Sequence, residues 1–157
     1  MAALRVPILK DITYLSLRIS MAISRETYAT LRSLLASMSA VTHLDVLDSF
    51  FTSWIRANHH ADVDGPVLFP NLHTIYVDRI MIFAQDPQPE EVHNMVRFLR
   101  RRIAHRRPVS VVHSHTKPSS VEKLWSMFFE ILGLRITWND STEDGKLVGH
   151  TFLCRRK

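Results

Sequence analysis

The sequence predicts an α/β fold, a short irregular solenoid in which a parallel sheet has helices on one of its faces. Three segments, ITYLSL, VTHLDV and LHTIYV, share the spacing φ-x-x-φ-x-φ, where φ is aliphatic. They begin at residues 12, 41 and 72, so the copies are 29 and then 31 residues apart. Self-similarity at such a period is typical of stacked supersecondary units. Segments with helical periodicity lie between strand segments, which favours parallel strands joined by right-handed crossovers.

Each copy of the repeat is predicted to form a strand with one buried face. Its last two aliphatic positions alternate with other residues, which is the period of a half-buried strand. Leu15, Leu44 and Ile75 occupy the same position of the repeat, so we expect them to lie in register along one buried wall. Two weaker copies, VSVVH at 109–113 and LRITW at 134–138, extend the pattern.

Two segments depart from the alternation of repeats and helices. The segment 48–70 is predicted to carry a short helix, followed by a polar turn rich in Asp, Gly and Pro. The apolar residues of that helix are Phe50, Phe51, Trp54 and Ile55. The segment LVGHTFL at 147–153 is predicted to be a last strand that hairpins back, because it follows the DG pair at 144–145.

Three segments have the apolar spacing of amphipathic helices. They are 25–38, 89–106 and 119–132, and each predicted helix gathers its apolar residues in one stripe that covers the sheet. The stripes contain Tyr28, Leu31, Leu34, Leu35 and Met38 in the first helix, Val92, Met95, Val96, Leu99 and Ile103 in the second, and Val121, Leu124, Trp125, Phe128 and Leu132 in the third.

Residues at the ends of these segments are suited to starting or stopping a helix. Ser24 is available as an N-cap, and Pro89 suits a first helical position. Ser119 and Glu122 are predicted to form a capping box. Gly133 is predicted to end the third helix, because glycine adopts the left-handed conformation that commonly follows a last helical turn.

Length and composition indicate one ordinary globular domain over 1–157. The chain is 46% hydrophobic and 22% charged, and no stretch has the length and apolar character of a transmembrane helix. Its start, MAALRVPILKD, has a proline and early charges where a signal peptide needs an unbroken apolar run. Cys154 is the only cysteine, which excludes an internal disulfide and favours a reducing compartment, the cytoplasm or the nucleus.

The segments PILKDITYLSL, MSAVTHLDV and LFPNLHTIYV resemble leucine-rich repeats. More particularly, they are similar to the degenerate repeats that follow the F-box in F-box-like proteins of mushroom-forming fungi. In that family a segment like Phe69-Pro70-Asn71-Leu72 leads into a strand. The family also has recurring helices with a basic end and a following proline, like VRFLRRRIAHRRPVSVV. The resemblance extends roughly over residues 7 to 138 and implies a leucine-rich-repeat-like solenoid.

Two departures limit what the resemblance implies. Ser20, Ser49 and Ile80 occupy the places where the asparagine ladder of typical repeats would stand. The F-box, which docks the ubiquitin-ligase adaptor in the family, is not recognisable, so adaptor binding is not carried over to any residue here. The resemblance implies a non-enzymatic module that recognises a protein partner, as the substrate-recognition part of an F-box-like protein does. It leaves open whether the chain is complete or part of a longer F-box-type protein.

Strand alternation predicts which residues form a partner-binding concave face. If the aliphatic positions of the repeat point inward, their neighbours point outward and mix aromatic, charged and hydroxyl groups. Such a mixture suits protein recognition, since Tyr and Arg are enriched in interface hot spots. The predicted face consists of Tyr14, Ser16, Arg18, His43, Asp45, Leu47, Thr74, Tyr76, Asp78, Arg135 and Thr137.

The most conspicuous charged segment is RFLRRRIAHRR at 97–107. On a helical projection, its arginines lie opposite the apolar stripe, flank it, or fall in the last turn, where they complement the helix dipole. We therefore interpret the segment as the solvated face of a helix, as most charge runs on amphipathic helices are. Phe98 also projects away from the stripe, where a partner or a neighbouring repeat could cover it.

The alternative function is nucleic-acid binding. The chain has a formal net charge of +5 and a pI near 9.8, which favours acidic partners by long-range attraction. Clustered arginines neutralise phosphates and release counterions. The residues for this function are Arg97, Arg100, Arg101, Arg102, Arg106 and Arg107. No interleaved aromatics or known reader motif accompany them, so this alternative is the less favoured one.

Catalytic and metal chemistry have little support in the sequence. HHADVD at 59–64 and HSH at 113–115 contain metal-ligating residue types, but neither has a known ligand spacing, and we interpret both as polar loop or strand-end residues. A metal-dependent hydrolase would need the first segment to meet His113 or His115 in space. Nearby arginines could lower the pKa of Cys154, yet no positioned base accompanies it. We predict no enzyme activity, no metal site and no cofactor.

Overall fold

The computed structural model describes residues 7–18, 25–47, 50–51, 67–80, 90–142 and 144–155. A short 3-10 helix, Pro7–Asp11, precedes the first strand. The strands are β1 (Tyr14–Leu17), β2 (His43–Val46), β3 (Thr74–Val77), β4 (Val111–Ser114), β5 (Arg135–Ser141) and β6 (Leu147–Leu153), and the helices are α1 (Arg25–Ala36), α2 (Glu90–Ala104) and α3 (Val121–Phe128). None of the helices in these ranges is long and apolar enough to cross a membrane.

The six strands form one sheet in which spatial order follows chain order, from β1 to β6. Each pair from β1 to β5 is parallel, and β6 returns antiparallel to β5. The predicted α/β class with a largely parallel sheet is therefore confirmed, and so is the terminal hairpin. Its turn places Gly145 at a φ of +73°, a conformation that favours glycine.

One row of aliphatic residues runs across the five parallel strands. Leu15 is level with Leu44, Leu44 with Ile75, Ile75 with Val112, and Val112 with Ile136. The last four are fully buried, and Leu15, on the edge strand, packs partly buried against them. The predicted register is confirmed, because residues at the same position of each repeat occupy the same level of the sheet.

The helices supply the other half of the core. Leu35 of α1, Val92 and Met95 of α2, and Leu124 and Phe128 of α3 belong to the same buried cluster as the aliphatic row. The three predicted helical segments are confirmed, although each helix ends before its predicted segment does.

Several predicted helix ends differ from the structure. The N-cap of α3 is Ser120, not Ser119, and its side chain makes no capping hydrogen bond, so the predicted capping box is wrong. The helix ends at Phe128, and Gly133 lies in the following turn with a φ of +82°. There its N–H donates to the carbonyl of Cys154, 2.9 Å away, which ties the turn to the end of β6. Predictions for Ser24, Pro89 and most of 48–70 lie outside the described residues.

Helix α2 buries four of the five residues of its predicted stripe, Val92, Met95, Val96 and Leu99, and it also buries Phe98 and Arg102. Phe98 is buried, with its ring centroid 6.3 Å from that of Phe50 and 5.6 Å from that of Phe51, both in edge-on contacts. Arg102, one turn further, is only 2% exposed, whereas Ile103 is 39% exposed. The prediction that Ile103 belongs to the buried stripe is therefore wrong, and so is the prediction that Arg102 lies on a solvated face. Phe98 is covered by another segment of the chain, which is one of the two kinds of cover predicted for it. The aromatic pair before the third repeat gives Phe98 an apolar site that helical periodicity alone does not reveal.

The Phe69-Pro70-Asn71-Leu72 corner positions β3. Phe69 has a φ of +52°, and the N–H of Leu72 donates to its carbonyl at 2.9 Å, which closes a tight turn. The side-chain amide of Asn71 donates to the carbonyl of Ser39 at 3.0 Å. This contact ties the corner to the turn before β2, so successive strands enter the sheet at the same level.

Candidate functional site

The side chains that alternate with the buried row form the opposite surface of the sheet, which we call the open face. Its register places Tyr14, His43, Thr74, Val111 and Arg135 in one row, and Ser16, Asp45, Tyr76, His113 and Thr137 in the next. Arg18, Leu47, Asp78 and His115 follow directly after their strands. All eleven residues predicted for the concave face lie in these rows.

At one end of the open face, Arg18 bridges two carboxylates. Its guanidinium donates to both oxygens of Asp45, at 2.8 and 3.1 Å, and to Asp78 Oδ1 at 2.9 Å. The hydroxyls of Tyr14 and Ser16 also donate to Asp45 Oδ2, at 3.4 and 3.2 Å. Asp45 is 7% exposed and serves as the shared acceptor that orders its neighbours.

These contacts affect the ionisation of the two outer groups. The pKa of Tyr14 is raised, first by partial desolvation and then by the Asp45 charge and its hydrogen bond. The pKa of Arg18 is also raised, chiefly because its charged form hydrogen-bonds to Asp78 and Asp45. Both side chains therefore keep their protons and their donor roles throughout the neutral range.

Tyr76 is the centre of an aromatic cluster on the open face. Its ring centroid lies 6.1 Å from that of Tyr14 and 6.3 Å from that of His43. On the other side, the rings of His113 and His115 lie 5.5 and 6.2 Å away. Tyr14 is largely exposed and Tyr76 half-buried, so the cluster presents ring faces and edges to solvent on a rigid sheet.

His113 links the cluster to β5. Its Nδ1 lies 2.8 Å from the hydroxyl of Thr137. Burial, and secondarily the neighbouring His115, lower the pKa of His113 below its ordinary value of 6.5. The ring is therefore neutral at physiological pH, where it offers one donor and one acceptor nitrogen.

Two of the predicted face residues are not available for contact. Thr74 is buried and its hydroxyl lies 3.0 Å from Nδ1 of His73. Asp45 is covered by the side chains that it orders. Both residues lie on the predicted side of the sheet, but their side chains stabilise that side rather than forming a contact surface.

His113 and His115 are members of the open face that sequence reasoning missed. The alternation that placed Arg135 and Thr137 outward applies equally to VSVVH, and it would have placed Val111, His113 and His115 beside Tyr76. The two histidine rings are 5.6 Å apart. Within the described ranges, no group of three or more His, Cys, Asp or Glu side chains could hold a metal ion. The HHADVD segment at 59–64 lies outside those ranges.

The arginine segment does not form one continuous basic surface. Arg102 is buried, and its guanidinium donates to the backbone carbonyls of Leu68, Phe69 and Leu72, at 2.8, 3.1 and 3.4 Å. Burial lowers its pKa to about 10, so it stays charged at neutral pH. The prediction that Arg102 is a solvated or phosphate-binding residue is therefore wrong. Its guanidinium instead stabilises the corner before β3 through these hydrogen bonds.

The remaining arginines differ in exposure. Arg97, Arg106 and Arg107 are exposed, and Arg101 is partly buried. Arg100 is exposed too, but it forms an ion pair with Glu130 at 2.6 Å, which partly neutralises it. The exposed positive charge on this helix is therefore smaller than the sequence suggests.

The environment of Cys154 also differs from expectation. The residue is buried in the core cluster at the end of β6, and burial raises the pKa of its thiol to about 11. The prediction that nearby arginines could lower this pKa is wrong. A protonated, covered thiol is a poor nucleophile.

Comparison of the chain with models of protein families, with curated proteins and with solved structures finds no match. The open face offers aromatic surface, hydroxyl donors and a fixed guanidinium on adjacent strands. Such groups bind other molecules through ring contacts and hydrogen bonds, and Tyr and Arg are the residues that most often dominate protein interfaces.

Proposed function

We propose that the chain is a non-enzymatic protein-interaction module that binds its partner on the open face of the sheet. The observation on which this depends is the position of Tyr76, whose ring is surrounded by Tyr14, His43, His113 and His115. Tyrosines in such a setting provide large contact area at small entropic cost, and a ring of neighbours excludes water from the contact.

The polar part of the open face is ordered in advance. Arg18 is fixed by Asp45 and Asp78 at hydrogen-bond distance. Because the two carboxylates outnumber the single guanidinium, this end of the face is not a phosphate-binding patch. Side chains that are ordered before binding lose less entropy when a partner docks. The face therefore suits a protein surface with apolar groups for Tyr14 and Tyr76 and hydrogen-bonding groups for Arg18.

The solenoid interpretation belongs to this proposal. In its support, the parallel strands follow one another in chain order, in register, with repeats about 30 residues long. The resemblance to the repeats of fungal F-box-like proteins favours recognition of a ubiquitin-ligase substrate. Adaptor binding is not part of the proposal, since no F-box is recognisable in the sequence.

The proposal is tested by measuring the affinity of Tyr76→Ala and of Arg97→Ala for a partner that the wild-type chain captures. Proteins that co-purify with the wild-type chain are identified by mass spectrometry, and the strongest is purified for affinity measurement. We expect Tyr76→Ala to weaken binding at least tenfold, a loss of about 1.4 kcal/mol, and Arg97→Ala to leave it unchanged. Equal affinity of Tyr76→Ala and wild type would overturn the proposal.

Nucleic-acid binding is the second candidate function, favoured by the exposed Arg97, Arg106 and Arg107 together with the net charge of +5. A gel-shift assay over a range of salt concentrations separates it from the first. Phosphate contacts give an affinity that falls steeply with salt, and replacing these arginines by alanine would reduce the slope. Absence of any shift at low salt removes this function.

A further inference from the structure

Strand β6 is the edge of the described sheet, and it lacks the residue types that usually prevent an edge strand from pairing with another chain. It is paired with β5 alone among the described strands. The run LVGHTFL contains no proline and no Lys, Arg, Asp or Glu. Leu147 is 72% exposed, and Val148 is exposed beside it. Natural edge strands usually carry charges, prolines or bulges, because an unprotected edge pairs with another strand.

The hydrogen bonds at both ends of the hairpin show which backbone groups point outward. Thr142 N–H donates to the carbonyl of Lys146, and Cys154 N–H donates to the carbonyl of Leu134, each at 2.9 Å. In an antiparallel ladder, bonded residues alternate along the strand, so the even-numbered residues of β6 direct their backbone groups to β5. The odd-numbered residues Leu147, Gly149, Thr151 and Leu153 direct theirs to the free edge.

The residues of β6 are self-complementary about His150. Two apolar residues, Leu147 and Val148, stand at one end, and two more, Phe152 and Leu153, stand at the other. An antiparallel copy centred on His150 places Leu147 opposite Leu153 and Val148 opposite Phe152. The same register places the outward-pointing Gly149 opposite the outward-pointing Thr151, so each free N–H meets a carbonyl. Shifting the copy by one residue would lose this match, since outward groups would then face inward ones.

We infer that β6 pairs with β6 of a second copy of this chain, antiparallel and centred on His150, so that two sheets join across a two-fold axis. Apolar cross-strand pairs then form on both surfaces of the joined sheet, Leu147 with Leu153 on one and Val148 with Phe152 on the other. A two-fold interface requires a self-complementary patch, and β6 is one. The inference is independent of the open face, because the partner site proposed there lies around β1 to β4.

The size of the contact predicts a weak dimer. Only one strand from each copy takes part, which is a small interface compared with the roughly 1,600 Å² of a standard one. We therefore expect a dissociation constant in the micromolar range and a concentration-dependent mass by sedimentation velocity. A wild-type chain that stays monomeric up to millimolar concentration would overturn the inference.

Cross-linking tests the register. His150→Cys places the two new thiols directly opposite each other, at a pair whose Cα atoms are about 4.5 Å apart, whereas in Leu147→Cys they are about 20 Å apart along the strand. We expect disulfide dimers from His150→Cys under mild oxidation and several-fold less from Leu147→Cys. The native Cys154 is buried in the wild-type chain, so we expect it not to compete in either variant. Equal yields would overturn the inference.

Two variants test the edge itself. Thr151→Pro removes an N–H that points to the free edge, and edge strands tolerate proline at such positions. Leu147→Lys adds a charge at an exposed site and leaves the backbone intact. We expect each to weaken dimerisation at least tenfold, while the circular dichroism spectrum stays that of wild type. If Thr151→Pro is unfolded, the test of dimerisation depends on Leu147→Lys alone. Dimerisation of Leu147→Lys as strong as that of wild type would contradict the inference.

Discussion

In the protein interior, the guanidinium of Arg102 donates a hydrogen bond to the carbonyl of Leu68 at a distance of 2.8 Å. Its other contacts reach Phe69 and Leu72, so one side chain of α2 satisfies three carbonyls of the corner that introduces β3. The N–H of Leu72 also donates to the carbonyl of Phe69, so Arg102 reinforces a turn that one backbone hydrogen bond already closes. Arg102 is thus a structural residue inside a segment that looks like a basic surface.

Arg102→Met is expected to lower the free energy of unfolding by about 2–4 kcal/mol. The substitution removes a charged donor from the carbonyls of Leu68, Phe69 and Leu72, and hydrogen bonds to charged groups are among the stronger ones. Arg102→Lys should lose a large part of the same amount, since one ammonium cannot span three carbonyls in the planar geometry of a guanidinium. Arg97→Ala is the matched control, with an expected change within about 0.5 kcal/mol. Urea denaturation measures all three, and a loss no larger than that of the control would show that the buried contacts are dispensable.

Asp45 and Asp78 both contact Arg18, yet their removal should differ in cost. Asp45 is nearly buried and accepts from Tyr14, Ser16 and Arg18. We expect Asp45→Ala to cost about 1–3 kcal/mol, because several donors lose their acceptor. Asp78 shares an exposed ion pair, so Asp78→Ala should cost less than about 1 kcal/mol. The comparison is made by thermal and urea unfolding at one salt concentration, and equal costs would contradict the role assigned to Asp45.

His113 is expected to make stability depend on pH. Because its pKa is lowered in the folded chain, the unfolded chain takes up this proton at a higher pH than the folded chain does. The contribution of His113 to the free energy of unfolding is therefore fully present at pH values well above 6.5, and it is lost as the pH falls below 6.5. His113→Gln should show a smaller loss of unfolding free energy between pH 7.5 and pH 5.5 than wild type. An equal loss would assign the pH dependence to other groups.

Cys154 is expected to be unreactive in the folded protein. With a thiol pKa of about 11, only about a thousandth of the group is ionised at pH 8, and the core cluster covers it. A thiol-specific reagent should label the native chain far more slowly than the urea-unfolded chain, which serves as the positive control. Rapid labelling under native conditions would show that the end of β6 opens readily.

The sheet could be predicted from the sequence because its signal is local. The alternation around Leu15, Leu44 and Ile75 defines a strand, its buried face and its level in the sheet at once. The same alternation identified the outward residues from Tyr14 to Thr137. It also applies to His113 and His115, but an HSH segment is equally typical of metal ligands, so the local pattern does not distinguish that role from membership of an aromatic cluster.

The remaining features depend on contacts between distant parts of the chain. Helical periodicity treats every arginine as polar, so it could not show that Arg102 meets carbonyls 30 to 34 residues away. Phe98 is buried because Phe50 and Phe51 lie opposite it. Cys154 is buried because β6 returns beside β5, which places the end of β6 against the core cluster. Such positions are decided by tertiary packing and not by local pattern.

Hydroxyl-radical footprinting of the chain with and without its captured partner tests the open face most directly, because it reports the solvent exposure of individual side chains. We predict that Tyr14, Tyr76 and His115 become protected when the partner binds, while the exposed residues of 97–107 react as before. Protection confined to 97–107, with Tyr14 and Tyr76 unchanged, would contradict the assignment of the open face as the binding surface.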